Sequence, residues 1–274
     1  MQTRWAKSLG ELEATHQEIW GTSDYISRYE PTCFFGMYDL RDYIALWRHK
    51  GGAWILWTGS DVRNLKNGFL FNDGKLKKIS KILRGNWWVF PILYKAEHWV
   101  ENKTEYTALK ELGIESQICP SFLGDIDKFE ISYKPSKKPK VYTSVSGDKF
   151  RLYGWDKIPR LARENPDIEF HLYGSTFPFA FDIPNVFIHG RVPKEQMNNE
   201  IKKMQGALRL TEFDGFSEIL AKSILWGQWP ISPFIDYPHI LKDISELRNK
   251  KKPNIEGRNY YRKNLNAYPW VKKH

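Results

Sequence analysis

Apolar and polar positions fall into blocks whose period changes along the chain. Near the start, Ser8 followed by Glu11 makes a capping-box pattern, Leu12, His16 and Ile19 share a helical face, and Gly21 closes the helix. Thr32 to Met37 is a compact apolar run that predicts a buried strand. Asp39 caps a predicted helix through His49, and Gly51-Gly52 stops it before a second strand, Ala53 to Trp57. The pattern continues with a brief apolar piece, Phe69 to Phe71, a strand over Trp87 to Leu93, a helix over Trp99 to Leu112 ended by Gly113, and a strand over Ile114 to Cys119. Strands alternating with helices predict a parallel sheet covered by helices.

The stretch Lys134-Pro-Ser-Lys-Lys-Pro-Lys140 is poor in apolar residues and reads as an exposed linker of limited flexibility. Beyond it the alternation restarts: strand Val141 to Ser144, helix Tyr153 to Arg163, strands Ile168 to Tyr173 and Val186 to Ile188, helix Lys194 to Met204, strand Ala207 to Leu210, helix Ser217 to Trp226 and strand Trp229 to Ser232. The expected architecture is α/β, with two Rossmann-like domains, 1–135 and 141–256, facing a cleft. An aromatic and basic tail, 257–274, is expected to pack back on the first. Ligands of such folds sit at the carboxyl ends of the strands.

Composition narrows this picture. The 274 residues hold 42 Lys+Arg against 32 Asp+Glu, a net charge of +10, and 41% are hydrophobic, so wholesale disorder is excluded. Cys33 and Cys119 make no disulfide framework and no CxxC, which suits a reducing interior. The most hydrophobic stretch, Ala53 to Trp57, is far short of the roughly 20 residues that span a bilayer. A cytoplasmic location without a transmembrane segment is expected.

The segment from Ala207 to Ile231 carries the most chemistry. A strand leads into a loop with Gly215, and a helix starts at Ser217, so backbone amides and the positive helix end are available to an anion. The same features suit an ordinary strand-to-helix turn with Ser217 and Gly227 as caps. Asp214-Gly215-Phe216-Ser217 and Gly227-Gln228-Trp229-Pro230-Ile231 resemble the donor-site motif of GT-B glycosyltransferases, particularly the family-four group (group 1). Phe170 to Gly174 and Val186 to Pro193 resemble further parts of that family's second domain, over most of residues 141–232. The first half resembles the family through Ala53-Trp-Ile-Leu-Trp-Thr-Gly-Ser-Asp61 and has a shortened N-terminal domain.

The resemblance implies a glycosyltransferase (hexosyl- or pentosyltransferase) using a nucleotide diphosphate sugar as donor, with no cofactor. It implies retention of configuration, with the leaving phosphate helping to deprotonate the acceptor. Donor-binding roles fall on Asp214, Gly215, Phe216, Ser217, Glu218, Lys222 and Arg209. Gly59, Ser60 and Asp61 are the acceptor-binding candidates, the alternative being a tight turn with Asp61 as helix cap.

Sugar transfer builds charge on the leaving pyrophosphate, which calls for fixed cations. The family's Gly-Arg is missing from Val141 to Asp148, and Lys149 or Arg151 is expected to serve instead, with Arg209 near the strand end and His98, read as opening a helix, as candidate base. With no HExxH motif, catalysis is expected to be metal-independent. One departure is Lys222, where the family has a Glu for the ribose hydroxyls. A lysine only donates hydrogen bonds. Either Lys222 pairs with Glu218 four residues before it, or it meets phosphate while Glu218 takes a sugar or ribose contact.

Positive charge and aromatic residues admit a nucleic acid acceptor such as DNA or an anionic membrane surface, while the leading reading takes a glycan, lipid-linked sugar or protein as acceptor. Two alternatives therefore stand beside the leading reading. One is a phage-type glycosyltransferase acting on modified bases in DNA; the other, suggested by Lys222, is a non-catalytic relative that binds nucleotides or nucleic acid.

Overall fold

The computed structural model describes residues 1–7, 9, 13–67, 89–145, 149–174 and 182–271. The chain divides into two compact units. The first is Met1–Gly124 with Phe213–Phe216 and Asn264–His274; the second is Asp125–Glu212 with Ser217–Lys263.

The first unit holds a six-stranded parallel sheet of β1 (Gln2–Trp5), β2 (Ser23–Asp24), β3 (Thr32–Phe35), β4 (Ala53–Leu56), β5 (Glu97–Val100) and β6 (Gln117–Ile118), ordered β2-β1-β3-β4-β5-β6. Its helices are α1 (Glu13–Trp20), α2 (Leu40–Arg48), α3 (Ser60–Lys66), α4 (Phe90–Leu93) and α5 (Lys103–Glu111). The central strands β3 and β4 are buried on both faces, so they read as apolar runs whose alternate side chains enter different cores. Phe34 and Ile55 join Tyr43, Leu46, Val62 and Leu109 in one cluster. Cys33, Phe35 and Leu56 join Trp5, Trp20, Trp99, Tyr268 and Trp270 in the other. The tail thus contributes Tyr268 and Trp270, stacked at 4.6 Å, and Trp270 meets the edge of Trp99 at 5.5 Å. Cys33 and Cys119 are free and buried, and burial pushes both thiols up.

The second unit carries a four-stranded parallel sheet of β7 (Lys140–Ser144), β8 (Glu169–Tyr173), β9 (Val186–Gly190) and β10 (Gly206–Ala207), ordered β10-β7-β8-β9. Helices α6 (Ile158–Glu164), α7 (Lys194–Ile201), α8 (Glu218–Leu225) and α9 (Ile255–Asn264) belong to it. Val141, Phe170, Leu172, Trp155, Ile158 and Leu208 form its core. Bridges from Leu208 to Ile231 and from Ile231 to Leu241 stand where strand Trp229 to Ser232 was expected.

Several expectations are corrected. The four-residue β1 lies before the first predicted helix. Phe90–Leu93, expected in a strand, is a helical turn with Pro91 in its first turn, where proline's missing amide costs no hydrogen bond. The predicted helix start instead forms strand β5, and the helix waits for Asn102, whose side chain accepts the Glu105 amide at 3.0 Å. The Lys134–Lys140 stretch is not where the chain changes unit. It lies inside the second unit, held by Gln205, which donates to the Lys134 carbonyl and accepts the Lys140 amide, while the change falls at Gly124 and Asp125. Ser8, Glu11, Leu12 and Phe69 to Trp88 lie outside the described residues, as do Ser146 to Asp148. Among the described residues no helix is long and apolar enough to cross a membrane.

Candidate functional site

Two strand ends in the first unit converge on a short foreign segment. After β4, Thr58 and Gly59 lead into α3, with Gly59 at φ 93° as the helix N-cap. After β5, Glu101 and Asn102 lead into α5. The segment Phe213–Phe216 is part of this unit: Phe213 packs against the Phe34 cluster, the Asn102 amide donates to the Asp214 carbonyl at 2.7 Å, and the Phe216 amide donates to Glu101 Oε2 at 2.8 Å. Asp214, Gly215 and Phe216 were expected in the second domain. The structure brings them together with Gly59 instead.

Close approach explains the glycines. A Cβ on Gly215 would lie 1.9 Å from Glu101 Oε2, and one on Gly59 would lie 2.5 Å from the Gly215 nitrogen. Neither position tolerates a side chain without displacement.

Carboxylates underlie this contact. Glu101 Oε1 accepts the Ser121 amide at 3.1 Å and also the Ser121 hydroxyl, and Glu105 Oε2 accepts the Glu101 amide at 2.7 Å. Burial pushes Glu101 up to about 8, against the hydrogen bonds it accepts, with Asp214 adding to the rise. Burial also raises Glu105 well above the carboxylate range, helped by the Glu101 charge. Glu101, Asn102 and Glu105 are absent from the sequence-based candidates. The signal was there in part: Asn102 followed three residues later by Glu105 is a helix-start pattern.

Asp61 does not face an acceptor. It is fully buried and accepts the amides of Met37, Thr58 and Val62, and burial raises its carboxyl to about 6. Its work is to pin the loop that carries Gly59 and Ser60. Ser60 is half-buried and donates to the Tyr38 hydroxyl at 3.1 Å, which in turn meets Thr58 Oγ1 at 2.6 Å. His98 is corrected more sharply. It lies on a strand, buried, with Nδ1 accepting from Trp57 Nε1 at 3.1 Å and Nε2 against the Leu93 carbonyl at 3.1 Å. Burial lowers its pKa to about 4, so it is a neutral core residue with both nitrogens engaged, which removes it as a base.

In the second unit, Ser217 precedes α8 in extended geometry, and its side chain does not cap the helix. Its carbonyl accepts the amides of Leu220 and Ala221. Lys222, half-buried, donates to Asn198 on α7 at 3.2 Å; burial lowers its pKa, Glu218 raises it and Lys194 lowers it further. Arg209 is buried, with its guanidinium 4.3 Å over the Tyr153 ring. Lys149 and Arg151 are exposed. Glu212 pairs with Lys157 at 2.7 Å. Among the described residues no group of three or more His, Cys, Asp or Glu is placed to hold a metal ion.

No family model and no curated protein sequence matches this chain. Solved structures do. Anabaena HepE, in complex with UDP and glucose, aligns with 10% identity over 94% of this chain and 79% of its own, at a TM-score of 0.54. Sucrose-phosphate synthase from Thermosynechococcus elongatus aligns with 11% identity over 93% and 73%, at 0.52. A TarM variant from S. aureus, in complex with fondaparinux, alpha-GlcNAc-glycerol and UDP, aligns with 10% identity over 92% of this chain at 0.51. The chain spans about half the length of some structures it matches, 53% of that TarM chain and 54% of pneumococcal GtfA. Two units built on parallel sheets, matched across nine-tenths of the chain by such structures, give this protein the GT-B fold.

Proposed function

We propose that this chain is a glycosyltransferase of the family-four kind, with a shortened N-terminal domain, that moves a sugar from a nucleoside diphosphate sugar to an acceptor hydroxyl without a metal ion. The observation that carries the reading is the run Asp214 to Glu218 on a GT-B fold: a glycine-bearing turn that ends at a helix start which the Ser217 side chain does not cap. Such a helix start attracts an anion through its amides and its dipole. HepE and TarM bound to UDP support a uridine donor.

In this reading the bond from the anomeric carbon to the diphosphate oxygen breaks, and the acceptor oxygen bonds to that carbon on the same face. The acceptor proton passes to the leaving diphosphate. Developing charge on the diphosphate meets the helix start, Ser217, and one of the exposed cations Lys149 and Arg151, with Arg209 held in place by Tyr153. Lys222 donates to phosphate and Glu218 accepts from the sugar or ribose. Gly59 and Ser60 stand on the acceptor side, placed by Asp61.

The test is release of nucleoside diphosphate from uridine, guanosine and adenosine diphosphate sugars. Lys149→Ala with Arg151→Ala is expected to slow release by about 100-fold or more while leaving the melting midpoint unchanged. Tight nucleotide binding with no release of any sugar would favour the second reading, a non-catalytic binding relative. Lys222 in place of a carboxylate is the observation that keeps that reading in view.

A further inference from the structure

Helix α2 buries Asp42, Tyr43 and Leu46 but turns Arg41, Ile44, Trp47 and Arg48 outward. Ile44 is 36% and Trp47 55% exposed, although Trp5, Trp20, Trp57, Trp99, Trp155, Trp226 and Trp270 are all buried. Beside it, α4 and the residues after it present Pro91, Ile92 and Tyr94, the tyrosine 65% exposed. Ile44, Trp47, Pro91, Ile92 and Lys95 line one cavity of about 400 Å³, and Lys95 Nζ donates to the Trp47 carbonyl at 3.3 Å. All of these residues belong to the first unit.

A lone exposed apolar side chain needs no explanation, but a Trp, a Pro and two isoleucines gathered round one cavity form a patch. Its surroundings are cationic. Arg41, Arg48, Lys50 and Lys95 are exposed around it, whereas Asp42 is buried and bound by Arg4, and the acids nearest in sequence that are not buried are the half-buried helix cap Asp39 and Glu97. Tryptophan and tyrosine rings sit at the headgroup level of a bilayer, and interleaved Lys and Arg are drawn to anionic lipid.

We infer that this face docks the protein on an anionic membrane surface, with Trp47 and Ile44 entering the headgroup layer and Arg41, Arg48 and Lys95 meeting lipid phosphates. The attachment is peripheral and reversible, since the apolar area is small and the rim acts through charge. It stands apart from sugar transfer and holds whichever acceptor the protein uses.

The test is co-sedimentation of the full chain with vesicles of phosphatidylcholine alone and of phosphatidylcholine with phosphatidylglycerol. Binding to the anionic vesicles, weakened by salt and reduced about tenfold by Trp47→Glu and again by Lys95→Glu, is expected. Both positions are on the surface, so the melting midpoint should not move. Absence of binding to anionic vesicles, or binding that neither substitution weakens, overturns the inference. Concentration-dependent dimers in the absence of lipid, abolished by Trp47→Glu, would assign the face to a second copy and overturn it as well.

Discussion

Glu101 takes the Phe216 amide on one carboxylate oxygen and Ser121 on the other, so a buried acid ties together chain segments 115 residues apart. Its pKa is raised to about 8 by burial, so the folded state holds a proton that the unfolded state has released. The sign follows: this group's contribution is fully present below about pH 4.5, falls as pH rises and is lost through about pH 8. Glu101→Gln cannot ionise, so its stability should fall less between about pH 5 and about pH 8.5 than that of the parent, with Glu105 leaving a residual slope. Denaturant melts across that range check this; parallel profiles contradict it.

Gly215 and Glu101 should be coupled. Gly215→Ala places a Cβ 1.9 Å from the carboxylate oxygen, and displacing the loop is expected to cost about 1–3 kcal/mol. In a Glu101→Ala background the obstacle is gone, so the two costs should not add. Additive melts of the single and double variants would show that the clash is relieved elsewhere.

His98→Ala is expected to destabilise the protein by about 1–3 kcal/mol, because it leaves Trp57 Nε1 buried without its acceptor. The same histidine, neutral in the fold with a pKa of about 4, makes stability fall as pH drops from about 6.5 toward 4, and the variant should lose that portion. Nucleotide binding below the melting range should be unaffected. A variant that melts like the parent but loses sugar transfer would restore the histidine as a base.

Lys222→Met separates a phosphate contact from a packing role. Loss of a charge-assisted hydrogen bond to phosphate corresponds to about 1.5–3 kcal/mol, roughly ten- to hundredfold in affinity. The bond to Asn198 is a partly buried link between α7 and α8, and its loss alone would shift the melt and not the affinity. Calorimetric titration with UDP reads the difference, and a gain in affinity would mark Lys222 as a residue that hinders donor binding.

Legibility in the sequence followed local chemistry. Asp39 and Asp42 both bond across the start of α2, and that helix was predicted where it stands. Strands β3 and β4 are buried on both faces, so each reads as an apolar run. Strand β1 did not, because Gln2 and Arg4 are polar residues whose partners, Glu30, the Ile26 and Ser27 amides, and Asp42, lie far along the chain. Trp99 and Val100 continue smoothly into the polar pattern of α5, which hid the strand in front of Asn102. At the site, the glycines and the helix start were visible as local signals. Glu101 was not, since only the tertiary fold brings it to Phe216, and Asp61 could be told from a ligand-facing acid only once its three amide donors were in place.

The central claim is that the turn ending at α8 receives a nucleoside diphosphate sugar. The most direct measurement is the melting midpoint of the intact chain against a panel of nucleoside diphosphates and their sugars, since a ligand at a hundred times its Kd stabilises the fold by about 2.7 kcal/mol. A selective rise with one nucleotide, strongest for a uridine donor and lost in Gly215→Val, is expected. No rise with any nucleotide, in a protein that still melts cooperatively, would contradict the claim.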